Sequence, residues 1–436
     1  MSVNIQKAAL RKHLLEKRDA TSAELRDISS ERIHQNIKQE GKVSACWRYP
    51  DRIGDYRTNT LQEIWNSEET RELRRALSND EKPNGCRSCW DFENSGVQST
   101  RMRCNNVYKK TYGLDYDQIL TSVTDDYSAL HAPKSIEIRF DNTCNLRCRH
   151  CSPTYSSQWE NLAFHEVEIK EFFQKQGMGR LEKKHISLPE ERFQDFLDII
   201  PNLCEVLIAG GEPLQQKRHY IMLEKMMPYA KGIRLSYNSN LTSLNLKKWN
   251  VLDYWPAFKE IELRVSIDGY PEIYEYFRTG GNYKVVEENI KKLQQAKINL
   301  DLNTTITVCI YNITRLVEIV KYITSLHTWF HTSMVQYPAA INPKILPRKL
   351  KDTTTLNWKA FLSQIESEPM WEGWDARKKK LQIDKIKQHG NTAIDYMNSE
   401  DTSANIQDMW DYIELLDKHS NTNFLDVYPE FKTVAS

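Results

Sequence analysis

The 436-residue chain contains no run of eighteen apolar residues, so no helix is expected to cross a bilayer. Its N-terminus, Met1 to Asp19, lacks the apolar core of a secretion signal. An excess of one charge is also missing. Lys plus Arg number 60 against 59 Asp plus Glu, which leaves no electrostatic footprint for nucleic acid or a membrane surface. Low-complexity tracts and internal repeats are absent apart from a strand–helix alternation. No nucleic-acid partner and no membrane partner are therefore expected, and a cytoplasmic location is. Residues 1–40 read as a helical segment, with Ile5, Ala9, Leu14 and Leu15 forming an apolar stripe that packs on the body. The length implies about two or three domains, and 40% hydrophobic residues suffice for a large core.

Nine cysteines are present, an odd count without a secretion signal, which points to metal binding rather than a disulfide framework. Cys204 and Cys309 fall in apolar strand-like runs and are expected to be small buried hydrophobes. The other seven are expected in loops and form two groups. Cys144, Cys148 and Cys151 have C-x3-C-x2-C spacing directly after the strand-like run 135–140. Three thiolates can hold three irons of a 4Fe–4S cube and leave the fourth iron open. The alternative for this trio is zinc, with a fourth ligand such as His150 or His165. Cys46, Cys86, Cys89 and Cys104 form the second group. Four cysteines with one C-x2-C pair suit either a second iron–sulfur cluster or a zinc knuckle.

From residue 135 onward, strand candidates at 135–140, 204–209, 232–238, 260–267, 300–309 and 332–337 alternate with helical patterns. The helices are expected near 155–176, 190–200, 214–229, 283–297 and 312–325. Such alternation implies a parallel sheet with right-handed crossovers. Six units fall short of a closed eight-fold barrel, so the expected fold is α/β, an open partial (βα)6 TIM-like barrel. Its chemistry should gather at the C-terminal strand ends. A small N-terminal cysteine-rich module precedes it, and helices at 356–366, 376–389 and 404–418 follow. The expected divisions are 1–40, 41–112, 130–340 and 341–436. The lysines at 378–380, 385 and 387 read as a solvated helix face.

One βα unit after the cysteine trio, the second strand ends in Gly210-Gly211-Glu212-Pro213. Glycines without Cβ let backbone approach a ligand, Glu212 can accept from an ammonium group, and Pro213 opens a helix without losing a donor. Taken alone, this segment is an ordinary turn. Together with the trio it resembles the radical S-adenosylmethionine (radical SAM) enzymes. The resemblance implies that the open iron chelates the methionine end of SAM and that the Gly-Gly-Glu-Pro loop holds its amino group. It also places His150 against the adenine, where the family usually has an aromatic residue. Asn238 falls at a polar strand end beside SAM, and Ser266, Asp268 and Arg278 at contacts to the ribose and carboxylate. Asp268-Gly269 also reads as a plain turn. Val308 and Ile310 fit either the adenine or the core.

Gly41-x4-Cys46, the Ile64-Trp65-Asn66-Ser67 segment, Leu73-Arg74 and Cys86-x2-Cys89 together resemble the twitch, or truncated SPASM, domain, which carries an auxiliary cluster. That domain normally follows the barrel, whereas here it precedes it. A cysteine usual before the Gly-x4-Cys element is absent, since residues 26–32 read Arg-Asp-Ile-Ser-Ser-Glu-Arg. Either Cys104 completes a four-thiolate shell or the cluster keeps an open iron for substrate.

The resemblance implies reductive cleavage of SAM to a 5′-deoxyadenosyl radical that takes hydrogen from a peptide or protein side chain. A flavodoxin- or ferredoxin-type protein would be the electron donor. The alternatives are oxidation of a small molecule such as an alcohol, and an iron–sulfur electron-transfer protein without SAM chemistry. No residue is assigned to the final hydrogen transfer.

Overall fold

A computed structural model describes residues 35–37, 41–46, 49–94, 99–113, 123–175, 188–335 and 337–434. Of the helical segment expected over 1–40, the described residues are 35–37, which form a strand pairing with Lys42–Ser44 instead; the rest lies outside them. The chain divides into two compact units, residues 1–137 with 188–205, and residues 138–187 with 206–436.

The first unit opens with three short antiparallel strands, Gln35–Ile37, Lys42–Ser44 and Gly54–Asp55. Helix Leu61–Trp65 starts at a capping box: Glu63 N–H donates to the Thr60 hydroxyl, and Thr60 N–H donates to the Glu63 carboxylate at 2.7 Å. Helix Glu68–Ser78 starts at Ser67, with Glu68 and Glu69 in the dipole-favoured first turn. The Trp-Asn-Ser and Leu-Arg signature has a structural job. Trp65 Nε1 donates to the His131 carbonyl at 2.8 Å, and Asn66 Oδ1 accepts from Ala129 N–H at 2.8 Å. Arg74, 1% exposed, lies 4.5 Å from the Trp65 ring and donates to the Tyr127 carbonyl. The motif thus pins residues 127–131 to the helices.

Six strands make the parallel sheet: β1 (Ser135–Ile138), β2 (Glu205–Ile208), β3 (Arg234–Ser239), β4 (Glu260–Ser266), β5 (Leu300–Val308) and β6 (Trp329–Met334). They stand in chain order. This is the mixed α/β architecture of a partial TIM-like barrel. Strand β4 alternates without a break, burying Ile261, Leu263 and Val265 and leaving Glu260, Glu262, Arg264 and Ser266 half-buried on the other face. The expected helix at 155–176 is two helices, α1 (Ser157–His165) and Val167–Lys175, separated at Glu166. Strand β6 begins three residues before the expected 332, because its polar His331 and Thr332 break the apolar run that marks a strand. After the sheet come helix Arg348–Gln364, α2 (Ala376–Asn398) and α3 (Ile406–Ser420), whose Trp358, Ile386, Met397, Met409 and Tyr412 join the core that includes β5 and β6.

Helix α2 covers the edge of β6. Phe330 N–H donates to Gln382 Oε1 at 3.2 Å and Thr332 N–H to His389 Nδ1 at 3.4 Å, satisfying donors that an edge strand leaves open. Burial, reinforced by Lys385, lowers the His389 pKa to about 4. An unfolded chain protonates this imidazole near pH 6.5. The folded chain resists protonation, so the His389 contribution is intact above pH 6.5 and is lost as pH falls toward 4. His389→Gln is expected to remove on the order of 2 kcal/mol of the stability loss between pH 7 and pH 4.5. Urea midpoints of parent and variant at the two pH values check this, and identical pH slopes would contradict it.

Candidate functional site

All nine cysteines are among the described residues, and none of them is in a disulfide. Cys309 is fully buried as expected, but Cys204 is only half-buried, because its Sγ turns to the Lys134 carbonyl at 3.2 Å. Three of the seven expected in loops lie on helices: Cys86 at the end of the 3-10 helix Asn84–Cys86, Cys89 on Arg87–Asn94 and Cys104 on Thr100–Tyr112. Helix Thr100–Tyr112 carries little apolar periodicity and is set by its cap, where Met102 N–H donates to the Ser99 hydroxyl. Cys148 lies in a two-residue strand, Arg147–Cys148.

A cavity of about 260 Å³ in the second unit gathers Cys144, Cys148 and Cys151 with His150, Gly210, Gly211, Glu212, Asn238, Ser266 and Arg278. Two expected residues do not line it. Pro213 is buried at the start of a 3-10 turn, and Asp268 is fully buried behind Arg278. The sequence reading missed Arg139, Leu146, Tyr155, Ala209 and Thr307, and did not single out Ser239 and Asn240 from the polar strand end. For Ser239, Asn240 and Thr307 the signal was there, since each stands at or just past the C-terminal end of a parallel strand. Val308 and Ile310 are core residues.

Neighbouring elements hold the cysteine loop on several sides. Ser157, opening α1, bonds the Cys144 backbone both ways at 3.1 Å, and Trp159 Nε1 donates to the Cys148 carbonyl at 2.9 Å. Arg278 and Thr279 pair antiparallel with Cys148 and Arg147. Gly211, at φ +54°, packs so tightly that a Cβ would stand 2.3 Å from the Thr143 carbonyl oxygen. Glu212 N–H donates to that same carbonyl at 2.7 Å.

Glu212 is 2% exposed, and its carboxylate accepts from Leu214 N–H, the Ser239 hydroxyl at 2.7 Å and Asn240 N–H at 2.6 Å. Burial raises its pKa despite these donors. The Arg278 guanidinium pairs with Asp268 and donates from Nη1 to Cys148 Sγ at 3.4 Å. Burial pushes the thiols of all three cysteines upward, Cys144 to about 12. A bound cation must therefore offset that cost if they are to ligate as thiolates. The His150 ring stacks on Phe277 with centroids 4.9 Å apart, and burial lowers its pKa to about 4, keeping the imidazole neutral.

In the first unit, Tyr49 N–H donates to the Cys46 carbonyl, and the Tyr49 ring packs where a Cβ on Gly85 would be 2.2 Å away, so the Cys46 and Cys86 segments meet. Burial, then Cys46 and Cys89, raise the Cys86 thiol to about 12. Arg101 ties the two cysteine helices together, pairing with Glu93 and lying 4.3 Å from the Trp90 ring.

These observations fit an iron–sulfur cluster and a small cofactor beside it. Three thiols share one cavity, and two buried atoms at it, His150 Nδ1 and Arg278 Nε, have no partner among the described residues. A tetrahedral zinc bonded at 2.3 Å would draw its thiolates to within ~3.8 Å of one another. Among the described residues, the set of three ligand atoms within 4.8 Å of one another is Glu166, Glu168 and His419, not either cysteine group. No helix among the described residues is long and apolar enough to cross a membrane.

The fold and this site define an α/β protein with three thiols gathered in one cavity at its strand ends. Residues 138–323 match the Radical SAM superfamily, and residues 29–90 match SPASM, an iron–sulfur cluster-binding domain. The chain therefore carries a Radical SAM domain and an iron–sulfur cluster-binding domain, and the cofactors these domains imply are 4Fe–4S clusters and S-adenosylmethionine. Its SPASM region is N-terminal. The putative protein YfkA of Bacillus subtilis is 27% identical over 111 residues, 25% of this chain, and the match spans 24% of that protein's length. Among solved structures, native anSMEcpe with bound AdoMet is 16% identical, covering 53% of this chain and 61% of that one, with a TM-score of 0.38. Streptococcus suis SuiB bound to S-adenosylmethionine is 11% identical, covering 78% and 69%, with a TM-score of 0.33. SuiB bound to precursor peptide SuiA is 13% identical, covering 78% and 70%, with a TM-score of 0.35. At these scores nothing further follows from the likeness.

Proposed function

We propose that this chain reductively cleaves SAM and modifies or oxidises a peptide or protein side chain. The observation that carries the reading is one cavity joining three thiols, the glycine cradle and a buried Arg278 whose Nε is unsatisfied. When bound, the cluster and SAM supply a 5′-deoxyadenosyl radical able to take a hydrogen atom from an unactivated C–H bond. Cys144, Cys148 and Cys151 hold that cluster. Gly210 and Gly211 bring their backbone to the methionine end, and Glu212 with Asn238 faces its ammonium. Arg278 and Ser266 meet the carboxylate and ribose, while the neutral face of His150 stacks on the adenine. Asp268 orients Arg278, and Pro213 shapes the loop. Cys46, Cys86, Cys89 and Cys104 would hold the auxiliary cluster, which would supply a one-electron acceptor for the substrate. A flavodoxin- or ferredoxin-type donor supplies the first electron, in the reducing cytoplasm that suits nine unbridged thiols. A small-molecule alcohol is the second substrate class. It is favoured by the polar, half-buried Glu262, Arg264 and Ser266 on one face of β4, the strand whose end lines the cavity.

Glu212→Ala tests the ammonium contact. Loss of a charge-assisted hydrogen bond is expected to weaken SAM binding roughly ten- to a hundredfold, with cluster absorbance retained. Because Glu212 also anchors Ser239 and Asn240, Glu212→Gln should recover part of the affinity. SAM affinity within twofold of the parent in both variants would mean Glu212 serves only the loop. Cys104→Ala should release iron from the auxiliary cluster and leave the SAM-responsive cluster intact. Unchanged iron content would remove Cys104 from the ligand set.

A further inference from the structure

Arg149 stands between two thiols of the trio, yet its side chain is 1% exposed and does not line the cavity. Apart from Nη1, which has no hydrogen-bond partner among the described residues, every polar group of this residue is held. Its N–H donates to the Phe277 carbonyl at 2.9 Å, and its carbonyl accepts from the Tyr412 hydroxyl. Its Nε donates to the Tyr276 carbonyl at 2.9 Å, and Nη2 donates to Asp417 Oδ1 and Thr422 Oγ1, each at 2.7 Å. The guanidinium carbon lies 3.8 Å from the centroid of the Tyr276 ring. Asp417, whose side chain is 13% exposed, accepts also from the Tyr276 hydroxyl at 2.9 Å and from Phe424 N–H at 2.7 Å. Tyr412 and Asp417 belong to α3, Thr422 to the link after it, and Phe424 opens the short helix Phe424–Val427. The far C-terminal part of the chain therefore closes on the middle of the cysteine loop.

The turn Cys148–Cys151 is short, with Cys151 N–H donating to the Cys148 carbonyl at 2.9 Å. Moving Arg149 moves both thiols. A buried cation paired with a mostly buried carboxylate also fixes a local charge balance that solvent screens less than at the surface. We propose that Arg149 and Asp417 are positioning residues for the cluster on Cys144, Cys148 and Cys151. Through them the C-terminal segment fixes the loop geometry and the reduction potential of that cluster.

This inference rests on the cluster assignment above and goes beyond it, because α3 and Arg149 touch neither SAM nor substrate in that reading. Cluster potentials respond to nearby net charge as well as to ligands. A loss that is merely structural would move Arg149→Met and Asp417→Asn in the same direction. A charge-setting pair moves them oppositely. Potentials are read by redox titration of the full-length, anaerobically loaded protein, following the paramagnetic signal that responds to added SAM. Arg149→Met is expected to lower the potential and Asp417→Asn to raise it. Arg149→Lys, which keeps the charge but not the fork of bonds, is expected to hold the parent potential while releasing iron to a chelator about tenfold faster. Shifts of the same sign, or none, with parent-like iron release would overturn the proposal. If Arg149→Met takes up no iron, the isosteric Asp417→Asn decides alone: an upward shift supports the pair and any other result refutes it. A parent protein without a SAM-responsive signal refutes the cluster assignment itself, a failure distinct from unchanged variants of a normal parent.

Discussion

Combined replacement of Cys144, Cys148 and Cys151 by alanine is expected to remove about half of the iron bound after anaerobic loading, and all formation of 5′-deoxyadenosine. The halving follows from two cysteine groups placed in separate compact units of the chain. The complete loss of turnover follows from the cavity, where these three thiols are the cysteines that line the space shared with Gly211, Glu212 and Arg278. Folding should survive. Each cysteine is small, and the loop stays pinned by Ser157, Trp159 and the Arg278 strand pairing. Iron analysis and chromatography of the reaction products check both halves. Continued 5′-deoxyadenosine formation would remove the trio from the chemistry.

Gly211→Ala is the second large effect. Glycine is required there twice over, since φ is +54° and a Cβ would press to 2.3 Å from the Thr143 carbonyl oxygen. The left-handed conformation costs a residue with a Cβ about 1–2 kcal/mol, and relief of the clash adds about 1–3 kcal/mol by shifting the loop. The oxygen belongs to the residue before Cys144, so the displacement reaches the cluster loop and the SAM cradle together. SAM affinity is expected to fall at least about a hundredfold, measured by equilibrium dialysis. Gly232→Ala is the control: nothing lies within 4 Å of its added Cβ. Parent-like SAM binding by Gly211→Ala would show that this loop does not form the cradle.

Much of the site was legible because its signals are local. Spacing within one loop exposed the trio, and a strand followed by Gly-Gly-Glu-Pro exposed the cradle. Strand periodicity also placed the sheet, with β6 displaced because His331 and Thr332 carry no apolar signal. What escaped depends on distant pairing. Nothing in the vicinity of Arg278 announces that it bonds Cys148 Sγ, since 130 residues separate them. Asp268 reads as a ligand contact but is spent on Arg278 and on Thr307 N–H, which donates to it at 2.5 Å. The Trp-Asn-Ser signature belongs to the architecture of its unit rather than to chemistry. Helix α2 looked like a solvated basic face, yet its Gln382 and His389 complete the edge of β6.

Cleavage of SAM is the reaction that decides what this chain does. Anaerobically loaded protein, given a strong one-electron reductant and SAM, is predicted to form methionine and 5′-deoxyadenosine in equal amounts. A paramagnetic signal of the reduced cluster should change when SAM is added. A chain that binds its full iron complement and SAM but leaves SAM intact, or that takes zinc in place of iron at Cys144, Cys148 and Cys151, would contradict it.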